Sequence, residues 1–398
     1  MSENRERRSS DYDETQVRRK SSSSSRKSSA KKKALRKKKQ RRRIILLVVG
    51  IILIIALIIG LFAWSKLDKM DYQDIGEVEV NELDEETVEI LNNYTTIALF
   101  GVDNRSNGNY DSGNSDSILI CNINNDTKEV QLVSVYRDTS LDVSGSGSYK
   151  KCNYAYNHGG AGEAVAMLNR NLDLNIQEYV ACDFNALVDA IDALDGIDLD
   201  ITSEEISENA GNLNAYIDEV AKITGSKGEH ITSAGTHHCN GVQATAYCRL
   251  RYTSGDDFKR TERQRTVLSK MAEKLKTMSV SQANNLVDAI LPKVSTSLSK
   301  TQILDLATDV ASYNLTTQAG FPFNSTTGTY GSKGSLVVPC TLESNVLLLH
   351  QLLYDRTDYE PSETVQRISS DIKSFSGCSE SSATIKYDLT GLLPTTTE

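Results

Sequence analysis

Thr95-Thr-Ile-Ala-Leu-Phe100 is a short apolar run of strand-forming residues, and it ends at Gly101-Val-Asp103-Asn-Arg105. Two further runs of this kind follow at residues 117–123 and 130–135, and the turn-like sequence Asn124-Asn-Asp-Thr-Lys128 joins them. Apolar runs separated by a short polar segment are typical of neighbouring strands. The three runs therefore predict adjacent strands of one sheet.

Helical patterns surround these strands. Ala164, Val165, Leu168 and Leu172 recur at helical spacing, and similar patterns continue up to residue 353. Strands mixed with helices predict an α/β domain in which helices flank a mixed central sheet.

The predicted domain divides into parts by composition. We expect its core at residues 94–275 and its C-terminal part at residues 276–356, where the helical patterns continue. Residues 357–398 become rich in Ser and Thr, and we predict a C-terminal tail there.

The amino-terminal residues show a strong charge asymmetry. Residues 1–43 are rich in Lys, Arg and Ser and contain few apolar side chains, so we expect a disordered tail. Residues 44–64 are uncharged and dominated by Ile, Leu and Val, a run long enough for one transmembrane helix. The positive-inside rule then predicts a single-pass protein of the cell membrane, with the tail in the cytoplasm. The remainder, beginning with an acidic stalk at residues 65–93, is expected to be extracytoplasmic.

A basic tail also raises the hypothesis of a regulator that binds DNA. Residues 1–43 contain no helix-turn-helix pattern and no aromatic platform, and they precede a predicted membrane span. The inner leaflet of a membrane is anionic and attracts basic segments. We therefore expect the lipid bilayer as a partner and no nucleic acid.

A second group of charges lies at Arg249-Leu-Arg251-Tyr-Thr-Ser-Gly255-Asp256-Asp257-Phe-Lys259-Arg260 and continues to Arg265. The Gly-Asp-Asp sequence is typical of a turn that caps a helix, and helical spacing follows it. On that helix Arg260 and Gln264 lie one turn apart. Guanidinium and amide groups near a helix N-terminus favour a phosphate or pyrophosphate ligand. The alternative is a solvated basic face that pairs with Asp256, Asp257 and Glu262.

Charged residues also lie at the ends of the predicted strands. Asp103 ends the first strand, Asp116 precedes the second, and Arg137-Asp138 follows the third. Because neighbouring strands lie about 5 Å apart, Asp103 and Asp116 could share a cation. Few carboxylates are needed to hold Mg²⁺, which keeps waters and takes phosphate oxygens. A simple turn role is the alternative for each aspartate alone.

The seven cysteines show no CxxC pair and no metal-ligand spacing with the five histidines. Most lie within apolar stretches, which favours a role as small core residues. A disulfide between Cys340 and Cys378 is left open by the sequence.

Several of these segments together resemble the LytR-CpsA-Psr family. The matching blocks, in chain order over residues 94–272, are Ile97-Ala-Leu-Phe-Gly-Val-Asp103-Asn-Arg105, Ser115-Asp116-Ser117, Val133-Ser-Val-Tyr-Arg137-Asp138-Thr139, Lys151-Cys-Asn153-Tyr-Ala-Tyr156, and Arg249-Leu-Arg251 with Gly255-Asp256-Asp257-Phe-Lys-Arg260 and Gln264. The resemblance implies an extracytoplasmic phosphotransferase of Gram-positive bacteria. Such enzymes move a teichoic acid or capsular polysaccharide from a polyprenyl-pyrophosphate carrier onto peptidoglycan, assisted by Mg²⁺. It also implies a hydrophobic pocket for the lipid tail inside the α/β domain.

The resemblance assigns roles to individual residues. It implies that Asp103 and Asp116 bind the metal. It implies that the pyrophosphate ligands are Arg137, Arg249, Arg251, Arg260 and Gln264, and we group the motif residue Lys151 with them. For catalysis it points to Arg137, Arg249 and Arg251, which would stabilise charge. Asp257 is the candidate to orient or deprotonate the acceptor hydroxyl.

The sequence departs from the family pattern at three places. Asn114 stands where the family often has Arg, and Arg105 is the candidate to supply that phosphate contact. Tyr136 stands where Pro is frequent, and Asp256 is an extra residue that could exchange roles with Asp257. The alternative functions are non-enzymatic binding of wall polymer by a membrane-anchored module, and a transcriptional attenuator-type regulatory protein.

Overall fold

A computed structural model describes residues 69–103, 110, 113–251 and 256–392, without the side chains of residues 103, 256, 257, 280 and 281. The predicted basic tail, the predicted transmembrane helix and Arg105 lie outside the described residues. Within the part of the chain that the structure describes, every helix is too short or too polar to cross a bilayer.

The strands include the three that the apolar runs predicted, as β2, β3 and β4 below. In chain order the strands are β1 (Asp71–Tyr72), β2 (Tyr94–Asp103), β3 (Asn114–Asn124), β4 (Glu129–Val135), β5 (Ser140–Asp142), β6 (Tyr149–Lys151), β7 (Glu178–Cys182), β8 (Ile197–Ile201), β9 (Gly235–Cys239), β10 (Val294–Thr296), β11 (Asn314–Phe321), β12 (Asn324–Thr329), β13 (Ser335–Pro339) and β14 (Ile385–Lys386).

The helices lie mostly between these strands. They are α1 (Glu85–Asn92), α2 (Tyr154–Leu172), α3 (Phe184–Ala193), α4 (Ser203–Ile206), α5 (Leu213–Thr224), α6 (Gly241–Arg249), α7 (Asp256–Leu275), α8 (Val280–Ile290), α9 (Lys300–Thr308), α10 (Leu342–Tyr354) and α11 (Glu363–Ser376).

The central sheet has the strand order β1-β10-β7-β2-β3-β4-β11 and mixes parallel and antiparallel pairs. The pairs β2–β3 and β3–β4 are antiparallel, whereas β2–β7 and β4–β11 are parallel. A mixed sheet flanked by helices confirms the predicted α/β class. Since β10 and β11 belong to this sheet, residues 276–356 complete the same domain as residues 94–275.

Two large apolar cores lie against this framework. The larger joins the sheet to α2, α10 and α11, with Phe100, Met167 and Leu349 among its fully buried side chains. The smaller joins α3, α5, α6 and α7, where Ile217 and Val242 are fully buried. Alternate residues of a strand face opposite sides of a sheet, so the central strands can contribute both to the larger core and to a surface facing the second helix group.

The predicted stalk and tail are corrected by the structure. In the stalk range, β1 pairs with β10, and Leu91 of α1 is buried. In the tail range, α11 buries Val365, Ile368 and Ile372 against the larger core. The composition of both segments is polar because each offers only a narrow apolar stripe, and a stripe of a few residues suffices for packing on one side.

The buried carboxylate of Asp173 connects these two segments. It accepts hydrogen bonds from Asn81 Nδ2 at 2.6 Å, Tyr359 Oη at 2.7 Å and Ser362 Oγ at 2.6 Å. Buried charge is costly unless it is fully hydrogen-bonded, so these contacts stabilise the folded position of both segments. All seven cysteines are free thiols in the structure, including Cys340 and Cys378.

Candidate functional site

A cavity of about 560 Å³ lies between the central sheet and the helices α3, α5, α6 and α7. Leu99 of β2 is in register with Leu119 of β3 and with Val180 of β7, so three apolar side chains line the cavity side by side. Phe184 and Leu187 of α3 add an apolar wall. Such a lining favours a ligand with a long apolar part.

Polar and charged side chains lie in the same lining and form what we call the arginine cluster. Its members are Asp116, Arg137, Glu219, Arg249, Arg251, Arg260 and Gln264. Six of these seven residues were predicted from the sequence, and the seven together come from five separate segments of the chain. The structure therefore brings five of the predicted anion-binding residues to one cavity, namely Arg137, Arg249, Arg251, Arg260 and Gln264.

A β-bulge positions Asp116. Gly101 pairs with Ser117 and Val102 pairs with Ser115, which leaves Asp116 as the extra residue of β3. A bulge turns a side chain away from the regular alternation of a strand and is frequent next to functional sites. The bulge is packed closely, because a Cβ added at Gly101 would lie 2.9 Å from the Cβ of Ser117.

Arg137 follows β4 at the end of the sheet. Its Nη1 donates a hydrogen bond to Asp116 Oδ1 at 2.8 Å, and its Nε lies 3.7 Å from Asp138 Oδ1. The Arg137 side chain is 18% exposed, so water screens these ion pairs only in part. The guanidinium is held at the cavity by carboxylates on two sides.

Arg249 is the last residue of α6, a helix that begins with a capping box at Asn240. Its guanidinium lies 4.5 Å from the ring centre of Phe184, and its Nη2 donates to Glu219 Oε1 at 3.0 Å. The buried Nη1 has no hydrogen-bond partner among the described residues. A buried donor without a partner is unfavourable, so Arg249 is well suited to bind an anion in the cavity.

Arg260 and Gln264 lie one turn apart on α7. Arg260 is 3% exposed, and Gln264 Oε1 accepts a hydrogen bond from Ser117 Oγ at 3.1 Å. The alternative of a solvated basic face is therefore wrong for Arg260. Glu262 instead pairs with the exposed Lys259 at 2.9 Å.

Arg263 has a structural role that its place in the arginine-rich sequence did not reveal. It is buried, its Nε donates to Glu205 Oε1 at 2.8 Å, and its Nη1 donates to the carbonyl oxygen of Leu250 at 3.2 Å. Leu250 lies between Arg249 and Arg251, so Arg263 holds the backbone that carries both.

Lys151 does not line the first cavity. It lies 3.1 Å from Asp138 Oδ1 and lines a second cavity, which shares Arg137 with the first. The side chains of Asp103 and Asp257, and all of Arg105, lie outside the described residues, so their predicted roles stay predictions. Glu219 and Phe184 were missed, because their contacts with Arg249 join residues that are distant in the chain.

Two cysteines also line the first cavity, and their burial determines whether they ionise. Burial raises the pKa of both Cys182 and Cys248 to about 12. The thiolate is the nucleophilic form of cysteine, and at neutral pH both side chains remain thiols. They therefore serve as small apolar wall residues of the cavity.

Comparison with known proteins identifies a family for this chain. The model of the LytR_cpsA_psr family matches residues 58–330. The polyisoprenyl-teichoic acid–peptidoglycan teichoic acid transferase TagU of Enterococcus faecalis is 29% identical over 219 residues, which are 54% of this chain and 66% of that protein. Biofilm regulatory protein A of Streptococcus mutans is 33% identical over 215 residues, which are 51% of this chain and 50% of that protein. The chain thus matches between half and two thirds of the length of these relatives.

A solved structure shows the same fold. The crystal structure of a protein from Streptococcus agalactiae superimposes with a TM-score of 0.56 at 25% identity, covering 71% of this chain and 93% of that one. The family match over residues 58–330 includes all of the predicted site residues. The chain therefore belongs to the LytR_cpsA_psr family, which its motifs resembled.

Proposed function

We propose that this protein is a phosphotransferase that moves an anionic glycopolymer, of the teichoic acid or capsular polysaccharide type, from a polyprenyl-pyrophosphate carrier to peptidoglycan. One observation carries the proposal: an apolar cavity is lined on its polar side by Arg137, Arg249, Arg251 and Arg260. A polyprenyl pyrophosphate combines a long apolar tail with a compact polyanion, and it matches both parts of this lining.

The two parts of the cavity would contribute differently to binding. The row of Leu99, Leu119 and Val180 would bury isoprenoid chain, at about 0.8 kcal/mol for each CH₂ group removed from water. The guanidinium groups would form paired hydrogen bonds with phosphate oxygens, for which their planar shape is suited. The tail then supplies affinity, while the arginines set the position of the phosphorus atoms.

The reaction follows from that position. The oxygen of an acceptor hydroxyl attacks the phosphorus that bears the glycopolymer, and a new phosphodiester bond forms. The bond from that phosphorus to the bridging oxygen breaks, and polyprenyl phosphate leaves with its electron pair. The hydroxyl proton passes to a base, for which Asp257 is the candidate. Arg137, Arg249 and Arg251 would stabilise the charge that develops on the phosphoryl oxygens.

Mg²⁺ is part of the proposal, and the donor chemistry of the site is compatible with it. Asp116 offers a half-buried carboxylate at the cavity. The backbone of Asp103 in β2 pairs with Asn114, which lies two residues before Asp116 in β3. Hard oxygen ligands of this kind suit Mg²⁺. When bound, Mg²⁺ would neutralise part of the pyrophosphate charge.

The relatives and the predicted topology support the proposal from outside the site. The Enterococcus faecalis relative is named as a teichoic acid transferase acting between a polyisoprenyl carrier and peptidoglycan. Anchoring by residues 44–64 would keep the cavity beside the membrane that holds a polyprenyl carrier, with the body outside the cell. Membrane-anchored polymer binding without catalysis is the alternative, because the same arginines would serve it.

Release of polyprenyl phosphate from a labelled polyprenyl-pyrophosphate glycan tests the proposal. Full-length protein in detergent should release it with Mg²⁺ and an acceptor glycan, and Arg260→Gln should reduce the rate by at least about tenfold. Lys259→Gln is the matched control, since it removes one positive charge at the exposed neighbouring position. Binding of the lipid without any release would favour the non-enzymatic alternative.

A further inference from the structure

Arg137 also lines a second cavity of about 550 Å³, which we call the lysine groove. Its charged lining residues are Arg137, Asp138, Lys150, Lys151 and Lys333. Among the described residues that line it, none is aliphatic, and the others are Tyr, Ser and Asn. The groove therefore suits a hydrophilic ligand, in contrast to the apolar cavity that it adjoins at Arg137.

The lysines of the groove come from two segments that are distant in the chain but packed together. Lys333 lies in the short turn between β12 and β13, and its Nζ donates to the carbonyl oxygen of Tyr149 in β6 at 2.8 Å. The Nζ of Lys150 lies 4.1 Å from the ring centre of Tyr154, and that ring stacks on His158. These contacts hold Lys150 and Lys333 along one groove.

The charge of the groove is opposite to that of the rest of the body. Four cations face a single carboxylate among its described lining residues, and that carboxylate, Asp138, is shared between Arg137 and Lys151. The chain beyond residue 43 contains many more Asp and Glu than Lys and Arg. A local surplus of positive charge in an acidic body attracts an anionic ligand.

The type of cationic side chain further restricts the kind of ligand that the groove can bind. The arginine cluster offers planar forks that match one phosphate group in fixed geometry. Lysine offers a point charge on a flexible stem, which tolerates an anion whose position varies. Lysines spaced along a hydrophilic groove therefore suit a chain with repeated anionic groups better than a single small anion.

We infer that the lysine groove binds the anionic saccharide chain of the glycopolymer through its phosphodiester groups. The inference rests on the proposed function, because it places the pyrophosphate at the arginine cluster. Arg137 belongs to both cavities, so a substrate whose pyrophosphate contacts Arg137 has its lipid on the apolar side and its sugar chain directed into the groove. Lys333 then becomes a substrate-binding residue that no motif of the sequence had indicated.

Binding of soluble poly(glycerol phosphate), which lacks any lipid, tests the groove apart from catalysis. The double variant Lys150→Gln/Lys333→Gln of the full-length protein in detergent should bind it roughly tenfold more weakly at low salt, with a smaller difference at high salt. The matched control is Lys270→Gln/Lys276→Gln, which removes the partly exposed Lys270 of α7 and the exposed Lys276 of the turn that follows it, both outside the two cavities.

The outcomes separate this inference from the proposed function. Equal affinities for the two double variants would overturn the groove, even if polyprenyl-phosphate release is observed. If the groove variant lost affinity for soluble uncrosslinked peptidoglycan strands but not for poly(glycerol phosphate), this result would also overturn the inference. It would assign the groove to the acceptor. Weaker poly(glycerol phosphate) binding by the groove variant alone supports the inference, even if the release assay fails.

Discussion

The carboxylate of Asp116 accepts a hydrogen bond from Nη1 of Arg137 at 2.8 Å. One residue is the candidate metal ligand and the other a candidate pyrophosphate ligand, so in the ligand-free protein each neutralises the other. An anion that binds Arg137 would compete with Asp116 and leave this carboxylate more available to a cation. We therefore expect the affinities for pyrophosphate and for Mg²⁺ to be coupled.

Asp116→Asn tests this relationship. The substitution keeps the shape of the side chain but removes its charge, so we expect transfer to fall by at least about tenfold and to lose its dependence on Mg²⁺. Stability should change by less than about 1 kcal/mol, because the ion pair is partly open to water. The measurements are release rates over a Mg²⁺ series and the thermal unfolding midpoint. Asp103→Asn should behave alike, and wild-type rates for both variants in chelator would end the metal hypothesis.

Gly101→Ala tests the bulge that positions Asp116. The new Cβ would lie 2.9 Å from the Cβ of Ser117, closer than two such atoms normally approach, so β3 must shift at the bulge. We expect a loss of about 1–3 kcal/mol in unfolding free energy and a lower transfer rate.

A compensating variant distinguishes a local clash from a general loss of stability. Ser117→Gly removes the atom that Gly101→Ala would meet, although it also removes the hydrogen bond to Gln264. The double variant should recover part of the stability lost by Gly101→Ala. If the double variant is less stable than either single variant, steric contact at the bulge is not the cause.

Patterns among residues close in the sequence were enough to predict most of the fold and much of the site. The apolar runs at β2, β3 and β4 are long and regular enough to identify strands, and Arg260 and Gln264 lie one turn apart on a helix with clear spacing. These features depend only on residues close in the chain. The family motifs then indicated that Arg137 and Arg249 would lie near the same ligand.

Contacts between distant segments could not be derived in this way. Glu219 and Arg249 are joined across two helices, and nothing near Glu219 distinguishes it from other surface acids. The helix α11 was missed because its segment is rich in Ser and its buried apolar residues are few, namely Val365, Ile368 and Ile372. Lys333 reaches the groove only because its turn packs against β6. Each of these depends on which elements become neighbours in the folded chain.

We expect His350 to make the stability of the fold depend on pH. It is buried in α10, its ring stacks on Tyr359 with 3.7 Å between centres, and its Nε2 donates to the carbonyl oxygen of Leu172 at 3.0 Å. Burial lowers the pKa of His350 to about 4. In the unfolded chain His350 takes up a proton near pH 6.5, whereas in the folded protein it does so only near pH 4. The free energy of unfolding therefore decreases as the pH falls from about 6.5 to about 4.

The expected loss from this residue is up to about 3 kcal/mol between pH 7 and pH 4. Denaturant unfolding at a series of pH values, for wild type and for His350→Gln, measures it. Glutamine can still donate to Leu172 but does not titrate, so the variant should lose less stability over this range. Parallel pH profiles for the two proteins would show that His350 is not responsible.

Arg260 and Arg263 are three residues apart on α7 and both are buried, but we expect the first substitution to affect mainly transfer and the second mainly stability. Arg260 lines the cavity, whereas Arg263 forms a buried ion pair with Glu205 and lies outside the cavity lining. Arg263→Met leaves the Glu205 carboxylate buried without its partner, so we expect a loss of about 3–5 kcal/mol in unfolding free energy. Arg260→Lys keeps the charge but removes the planar fork, so we expect slower transfer with a smaller loss of stability.

Arg249→Lys and Arg251→Lys extend this comparison. Lysine at position 249 would lose both the stacking on Phe184 and the paired donors for phosphate, so we expect slower transfer there as well. The measurements are transfer rate and unfolding midpoint for all four variants, and binding of a polyprenyl pyrophosphate. Slower transfer and weaker binding in the three lysine variants, with the largest loss of stability in Arg263→Met, would separate the ligand-binding arginines from the structural one. Wild-type rates and affinities in the three lysine variants would exclude a pyrophosphate site at the arginine cluster, because the loss of a paired hydrogen bond to a desolvated anion cannot be silent in both measurements.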